Sequence, residues 1–322
     1  MRRRIKWVAL MILCLAFLIT GCFDSSNVKT RGDNDKINVY ASFYTMYDFA
    51  KKIGGDRINL TNIMPAGTEP HHWEPSPKDI LEIGKADVFV YNGAGMEPWV
   101  EKVLGSINNK SLLVVETSKN IELISGSHYH DEDHDGEDED KEGHSHEDTE
   151  YDPHVWLSPK NAKKQMEAIK DAFVKADPEN SEYYEKNFKD NAEKLDILDK
   201  EFREELSKCS KKDIVVGHLA YGYLCEEYGL KQNAIEGLSA ESEPTPARMA
   251  EIVKFIKKKD IKVIFSEKLL SQKVPNAIAS ETGAKVEFLN PLGGLSQEEI
   301  DAGKEYFSVM RENLEALKKA LE

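Results

Sequence analysis

The sequence predicts an α/β protein of two lobes, each built on a mostly parallel sheet flanked by helices, joined by one long rigid helix. Three observations lead there. Short β-branched runs alternate with helical patterns in both halves of the chain, the signature of strand–helix–strand units. A long charged helical pattern without glycine or proline runs between those halves. Ser-Pro helix starts, with Ser as cap and Pro in the first turn, close loops that follow strands. A chain of 322 residues is long enough for two domains with cores of their own.

Taken in order, Met1 to Lys6 is basic, Trp7 to Ile19 is apolar, and Thr20-Gly21-Cys22 follows. Residues 1–21 read as a secretory signal, because the apolar run is shorter than the roughly 20 residues of a spanning helix. Residues 22–36 are polar and read as a flexible stalk. The N-terminal lobe covers residues 37–177. Its first strand lies within Lys36 to Tyr44, and a helical pattern runs through Tyr47 to Gly54-Gly55. A strand from Ile58 to Met64, a loop to Pro75, a helix from Pro77 to Lys85 and a strand from Ala86 to Tyr91 come next. A helix near Glu97 to Leu104 and a strand from Leu112 to Glu116 complete the alternation. Residues 127–150 form a His- and acid-rich loop with almost nothing apolar to bury, so disorder is expected there. Ser158-Pro159 then opens a helix to Lys175.

Residues 178–208 are the linking helix, with Tyr184, Phe188, Leu195, Leu198, Phe202 and Leu206 at helical spacing. At about 1.5 Å per residue it reaches roughly 45 Å, which suits a spacer between lobes. The C-terminal lobe, residues 209–322, repeats the first in outline. Strands are expected at Asp213 to Gly217, Gln232 to Ile235, Val263 to Phe265 and Val286 to Leu289. Helices are expected near Tyr221 to Tyr228, at Pro246 to Lys259 and Val274 to Thr282, and as one terminal helix from Gln297.

The formal charge of −15 disfavours nucleic acid as a partner, although most of the excess sits in the loop at 127–150. Of four cysteines, Cys14 belongs to the signal and Cys22 directly follows it. Cys209 and Cys225 remain, and sequence leaves open whether they pair.

Histidine placement points to metal chemistry. Five of the nine histidines, His128, His130, His134, His144 and His146, lie in the acidic loop, a composition read as low-affinity metal binding. The bland alternative is a solvated linker. His71 and His154 differ, since each lies in a loop just before a Ser-Pro helix start, and His154 has Val155, Trp156 and Leu157 beside it. His218 ends a strand and Glu267 follows another, where ligands bind in open α/β sheets. Three imidazoles and a carboxylate suit four-coordinate Zn²⁺, although no local His-Glu-x-x-His or Cys-x-x-Cys motif joins them. His72 competes with His71, and only one of two loop neighbours is expected to face the metal. Glu267 also reads as an ion-pair partner or a helix N-terminal charge. Glu69, Glu74, Glu241 and Glu243 are candidates to orient a histidine. A zinc hydrolase with Glu267 as general base would use the same residues, but the sequence holds no second catalytic constellation, so an enzyme is not expected.

Four runs then carry a specific resemblance: Pro65 to Ile80, Asp152 to Pro159, Val216 to Tyr223 and Val263 to Glu267. Together they resemble the zinc-binding lipoproteins of bacterial ABC importers, in the metal-specific cluster of substrate-binding proteins. The resemblance implies His71, His154, His218 and Glu267 as ligands of one Zn²⁺ held in the cleft between the lobes. It implies a monomer that delivers zinc to a membrane permease driven by a separate ATPase; no Gly-x-x-x-x-Gly-Lys-Ser/Thr occurs in this chain. Leu18 to Cys22 is similar to a lipobox, implying a diacylglyceryl anchor on Cys22 that tethers the protein outside the cell membrane. His72 departs from relatives, which often carry Asp there. Manganese and iron binders of the cluster tend to have a carboxylate where His218 stands, so the imidazole favours zinc. A manganese or iron importer component and a metal-binding surface adhesin are the alternative readings.

Overall fold

The computed structural model describes residues 36–126, 151–238 and 244–322. The signal segment, Cys22, the stalk up to residue 35, the five histidines His128, His130, His134, His144 and His146, and the loop acids Glu241 and Glu243 lie outside the described residues.

Each lobe is built on a four-stranded parallel sheet. The first comprises β1 (Ile37–Ala41), α1 (Tyr44–Gly54), β2 (Ile58–Asn62), α2 (Pro77–Ile83), β3 (Val88–Tyr91), α3 (Val100–Ser106) and β4 (Leu113–Glu116), in the order β2-β1-β3-β4. The central strand β3 is apolar on both faces, with Val88, Phe89 and Val90 fully buried, whereas β1 buries one face through Ile37, Val39 and Ala41. Two long helices follow, α4 (Pro159–Ala176) and α5 (Ser181–Lys208). The second sheet is made of β5 (Asp213–Val216), α6 (Gly222–Tyr228), β6 (Lys231–Ala234), α7 (Pro246–Lys259), β7 (Val263–Ser266), α8 (Lys273–Thr282) and β8 (Lys285–Phe288). Its order, β6-β5-β7-β8, repeats that of the first sheet. The chain ends with α9 (Gln297–Asp301) and α10 (Tyr306–Leu321). The expected fold class is thus the observed one, with element ends differing by a few residues.

The long helix α5 has 28 residues, about 42 Å at the standard rise. It does more than span. Tyr184, Leu195, Leu198, Phe202 and Leu206 form a buried stripe, and the helix packs on α1 and α4 at one lobe and on α6 and α10 at the other. The largest apolar cluster therefore runs continuously from β1 and α1 through α4 and α5 to β5, α6 and α10. Smaller clusters lie in each lobe, around Phe89 and Trp99 in the first and around Ile252 and Ile264 in the second.

The terminal helix is two helices. Gly303 sits at φ 76°, a left-handed conformation that glycine adopts without penalty, and it ends α9. The Glu305 side chain then caps α10 by accepting from the backbone N–H groups of Phe307 and Ser308. The break turns the start of α10 against the first lobe. The Tyr306 ring meets Phe49 edge-on at 4.9 Å, and its backbone N–H donates to Asp48. Cys209 and Cys225 are buried free thiols. No helix among the described residues is long and apolar enough to cross a membrane.

Candidate metal centre

In the second sheet the strand order reverses between β5 and β7, which pair in register through Val216 and Phe265. A crevice opens at the carboxyl ends of two such strands. His218 leaves β5 at that point and Glu267 directly follows β7. The two side chains meet, with His218 Nδ1 2.5 Å from Glu267 Oε1.

The first sheet reverses between β1 and β3, but no ligand stands there. Ser42 and Asn92 occupy the equivalent ends, and both bond to the buried carboxyl of Glu97, Ser42 through Oγ at 2.6 Å and Asn92 through its N–H at 2.8 Å. Asn92 also acts at one remove, its Nδ2 donating to the Pro153 carbonyl at 2.9 Å. That bond helps hold the tight turn carrying His154. Tyr223 Oη donates to the Asp152 carbonyl, Tyr306 Oη to the Trp156 carbonyl, and Trp156 Nε1 to the Pro291 carbonyl. Inside the turn, Asp152 Oδ1 accepts from both the backbone N–H and Nδ1 of His154, each at 2.9 Å. The Ser158 cap on α4 is present as the sequence suggests.

His71 comes from the loop between β2 and α2. Glu69 Oε2 accepts from its backbone N–H at 2.9 Å, and Ser76 forms a capping box with Asp79 at the start of α2. The loop rests on the second lobe. Gly67 N–H donates to the Leu295 carbonyl at 2.8 Å, and a Cβ on Gly294 would stand 2.7 Å from the Thr68 carbonyl oxygen, a separation only glycine allows.

These elements bring His71, His154 and His218 together, their ligand nitrogens all within 4.8 Å of one another. His71 Nε2 lies 3.1 Å from His154 Nε2, which lies 3.3 Å from His218 Nε2. Nitrogens at the usual 2.0–2.1 Å from a tetrahedral zinc are roughly 3.3 Å apart, so the spacing fits such an ion. Protonation fits too. A carboxylate oxygen only accepts, so Asp152 and Glu267 fix the proton on Nδ1 of His154 and His218 and leave each Nε2 lone pair facing the centre. Converging lone pairs repel unless a cation or proton lies among them.

Burial holds the imidazoles of His71 and His154 well below the ordinary histidine range. Burial also disfavours charge on His218, but Glu267 beside it outweighs this and the net shift is upward. Burial pushes Asp152 up to about 7 and raises Glu69.

Of the residues singled out in the sequence, the three histidines converge, whereas Glu267 meets the outer nitrogen of His218 and lines the same cavity. His72 is exposed beside His71. Among the flanking acids, Glu69 touches the His71 backbone and Glu74 is exposed. Asp152 and Asn92 have no role predicted from the sequence. An Asp two residues before a histidine is a usable signal, since its side chain readily accepts from the backbone N–H two positions on.

A profile of the family described as "Zinc-uptake complex component A periplasmic" (ZnuA) matches residues 39–320. The chain belongs to that family. It is similar to the "High-affinity zinc uptake system protein ZnuA" of Bacillus subtilis, 45% identical over 318 residues that cover 98% of each chain. It is similar also to the "Zinc-binding lipoprotein AdcA" of Streptococcus pneumoniae, 40% identical over 315 residues, covering 97% of this chain and 60% of that longer one. Among solved structures, the Zn(II)-bound ZnuA-like domain of Streptococcus pneumoniae AdcA matches with a TM-score of 0.75 at 39% identity, covering 89% of this chain and 99% of that one.

Proposed function

We propose that this protein is the extracytoplasmic zinc-binding component of an ABC importer, a solute binder and not an enzyme, which captures Zn²⁺ and delivers it to a permease powered by a separate ATPase. The observation that carries the reading is the convergence of three imidazoles, with His154 Nε2 at tetrahedral edge spacing from both His71 Nε2 and His218 Nε2, and with the Nδ1 atoms of His154 and His218 held by buried carboxylates. His71, His154 and His218 are the nitrogen ligands and Glu267 supplies the fourth, oxygen, ligand from the same cavity. Nitrogen-rich ligation favours zinc over manganese. Membership in the zinc-uptake family supports the same cargo. The lobes are residues 37–177 and 209–322, joined by 178–208; a lipid on Cys22 tethers the chain, and the histidines from His128 to His146 collect zinc weakly near the cleft.

The test is metal analysis and zinc titration of the purified protein, of His154→Ala, and of a variant lacking residues 128–146. One tight zinc per chain, lost in His154→Ala and kept without the loop, is the expected result. Absence of tight zinc, or its loss only with the loop, refutes the reading.

A further inference from the structure

The cavity that holds the three imidazoles is also lined by Lys268 and Glu299, neither of which touches the histidines. An ammonium group opposes the approach of a cation, so its presence in this wall calls for a compensating charge. Glu299 provides one. Its Oε1 accepts from Lys268 Nζ at 2.8 Å. The glutamate is 9% exposed at its side chain and the lysine 48%, which puts the carboxylate inside and the ammonium toward solvent. Glu299 is fixed in place by a second task, since its Oε2 accepts from Ser296 in the capping box of α9. Lys304 Nζ stands 3.8 Å from Glu299 Oε1 but is itself engaged with Glu312 at 2.5 Å. Glu69 and Glu267, on the same cavity wall, leave the interior rich in carboxylate and imidazole.

We propose that Lys268 and Glu299 form a charge-balanced mouth that sets the rate at which Zn²⁺ enters, with Lys268 acting as a tethered cation on the carboxylate that would otherwise draw metal in. This deepens the zinc-capture reading and rests on it. The physical reason is that fixed charges lining a cleft alter the encounter rate with a charged solute, and that salt screens the effect. In the native chain the two charges cancel along the entry path. Removing the lysine leaves a net negative mouth, and neutralising the glutamate leaves a net positive one.

The experiment measures Zn²⁺ association by stopped flow, with Trp156 as reporter because its ring lies 5.4 Å from that of His154. Native protein, Lys268→Ala, Glu299→Gln and the double variant are compared at low and high ionic strength. Glutamine also serves in a capping box, so the second variant keeps α9 intact. At low salt, association rises about 3- to 10-fold in Lys268→Ala and falls by a similar factor in Glu299→Gln, within the range of electrostatic steering. The double variant returns to the native rate, and all four converge at high salt, whereas a packing defect would persist there. Low-salt rates within twofold of native in both single variants overturn the proposal, as do differences that survive high salt. A native chain that takes up no zinc fails the capture reading instead.

Discussion

The two sheets share one strand order and yet place the candidate ligands by different means. In the second, His218 and Glu267 stand on neighbouring strands at the point where the order reverses, so the hydrogen-bonded register of β5 and β7 fixes them directly. In the first, the equivalent point holds Ser42, Asn92 and the buried Glu97, and the candidate ligands arrive on loops after the edge strands β2 and β4. Equal topology does not imply equal use. One lobe builds the site from its backbone ladder, and the other builds a buried polar network that holds a turn, which in turn holds His154.

The strongest test of that difference removes a ligand and leaves its neighbour. His154→Ala should weaken zinc by more than the roughly 10–100-fold typical of changes outside the ligand set, while His72→Ala should change affinity little. Similar losses in a metal titration would mean that the loop histidines were misassigned.

The next test falls on the polar network in the metal-free protein. Burial raises Glu97 to about 7 from 4.5. A carboxyl whose folded value is raised contributes stability that is full below the unfolded value and lost as pH rises through the folded one. Relative to Glu97→Gln, the native chain should therefore lose about 3 kcal/mol of unfolding free energy between pH 4.5 and 7. Denaturant melts at several pH values would read this, and a flat difference would contradict it.

Asn92→Ala sharpens the comparison further by removing the side-chain bonds to the Pro153 carbonyl, the Gly93 carbonyl and Gln165 Nε2, while the backbone N–H bond to Glu97 stays. Zinc affinity should fall by roughly 10–100-fold, as for other groups that orient a metal ligand. An unchanged affinity would mean that Tyr223 and Tyr306 suffice to hold the turn.

The smallest effect is expected at the surface, away from both sheets' ends. Arg203 pairs with Glu227 and Asp199 while remaining 48% exposed, and Arg203→Ala should cost only about 0–1 kcal/mol in thermal or chemical melts. A larger loss would point to stacking of Arg203 on Tyr228.

Much of this architecture is legible in the sequence. The β-branched runs, the uninterrupted pattern of α5 and the Ser caps at Ser76 and Ser158 are local signals, and the elements formed where those signals lie. The break at Gly303 is not legible there, because α9 alone is too short to show a helical period and the turn against Phe49 that follows is a contact between distant segments. Asp152 was visible as a residue but not as a partner of His154, since that role depends on the turn being buried.

By itself, the sequence determined the kinds of candidate ligand, the loops and strand ends that carry them, and the alternation that makes two parallel sheets. These depend on residue chemistry and on periodicities of a few residues. Only the tertiary structure decided that His71, His154 and His218 present their Nε2 atoms to one point, that Glu267 and Asp152 hold the opposite nitrogens, and that Lys268 and Glu299 share the same cavity. The reason is physical: convergence depends on strand register, on the shared core along α5 and on the close seating of one loop against another. Those are packing relations between residues far apart in the chain.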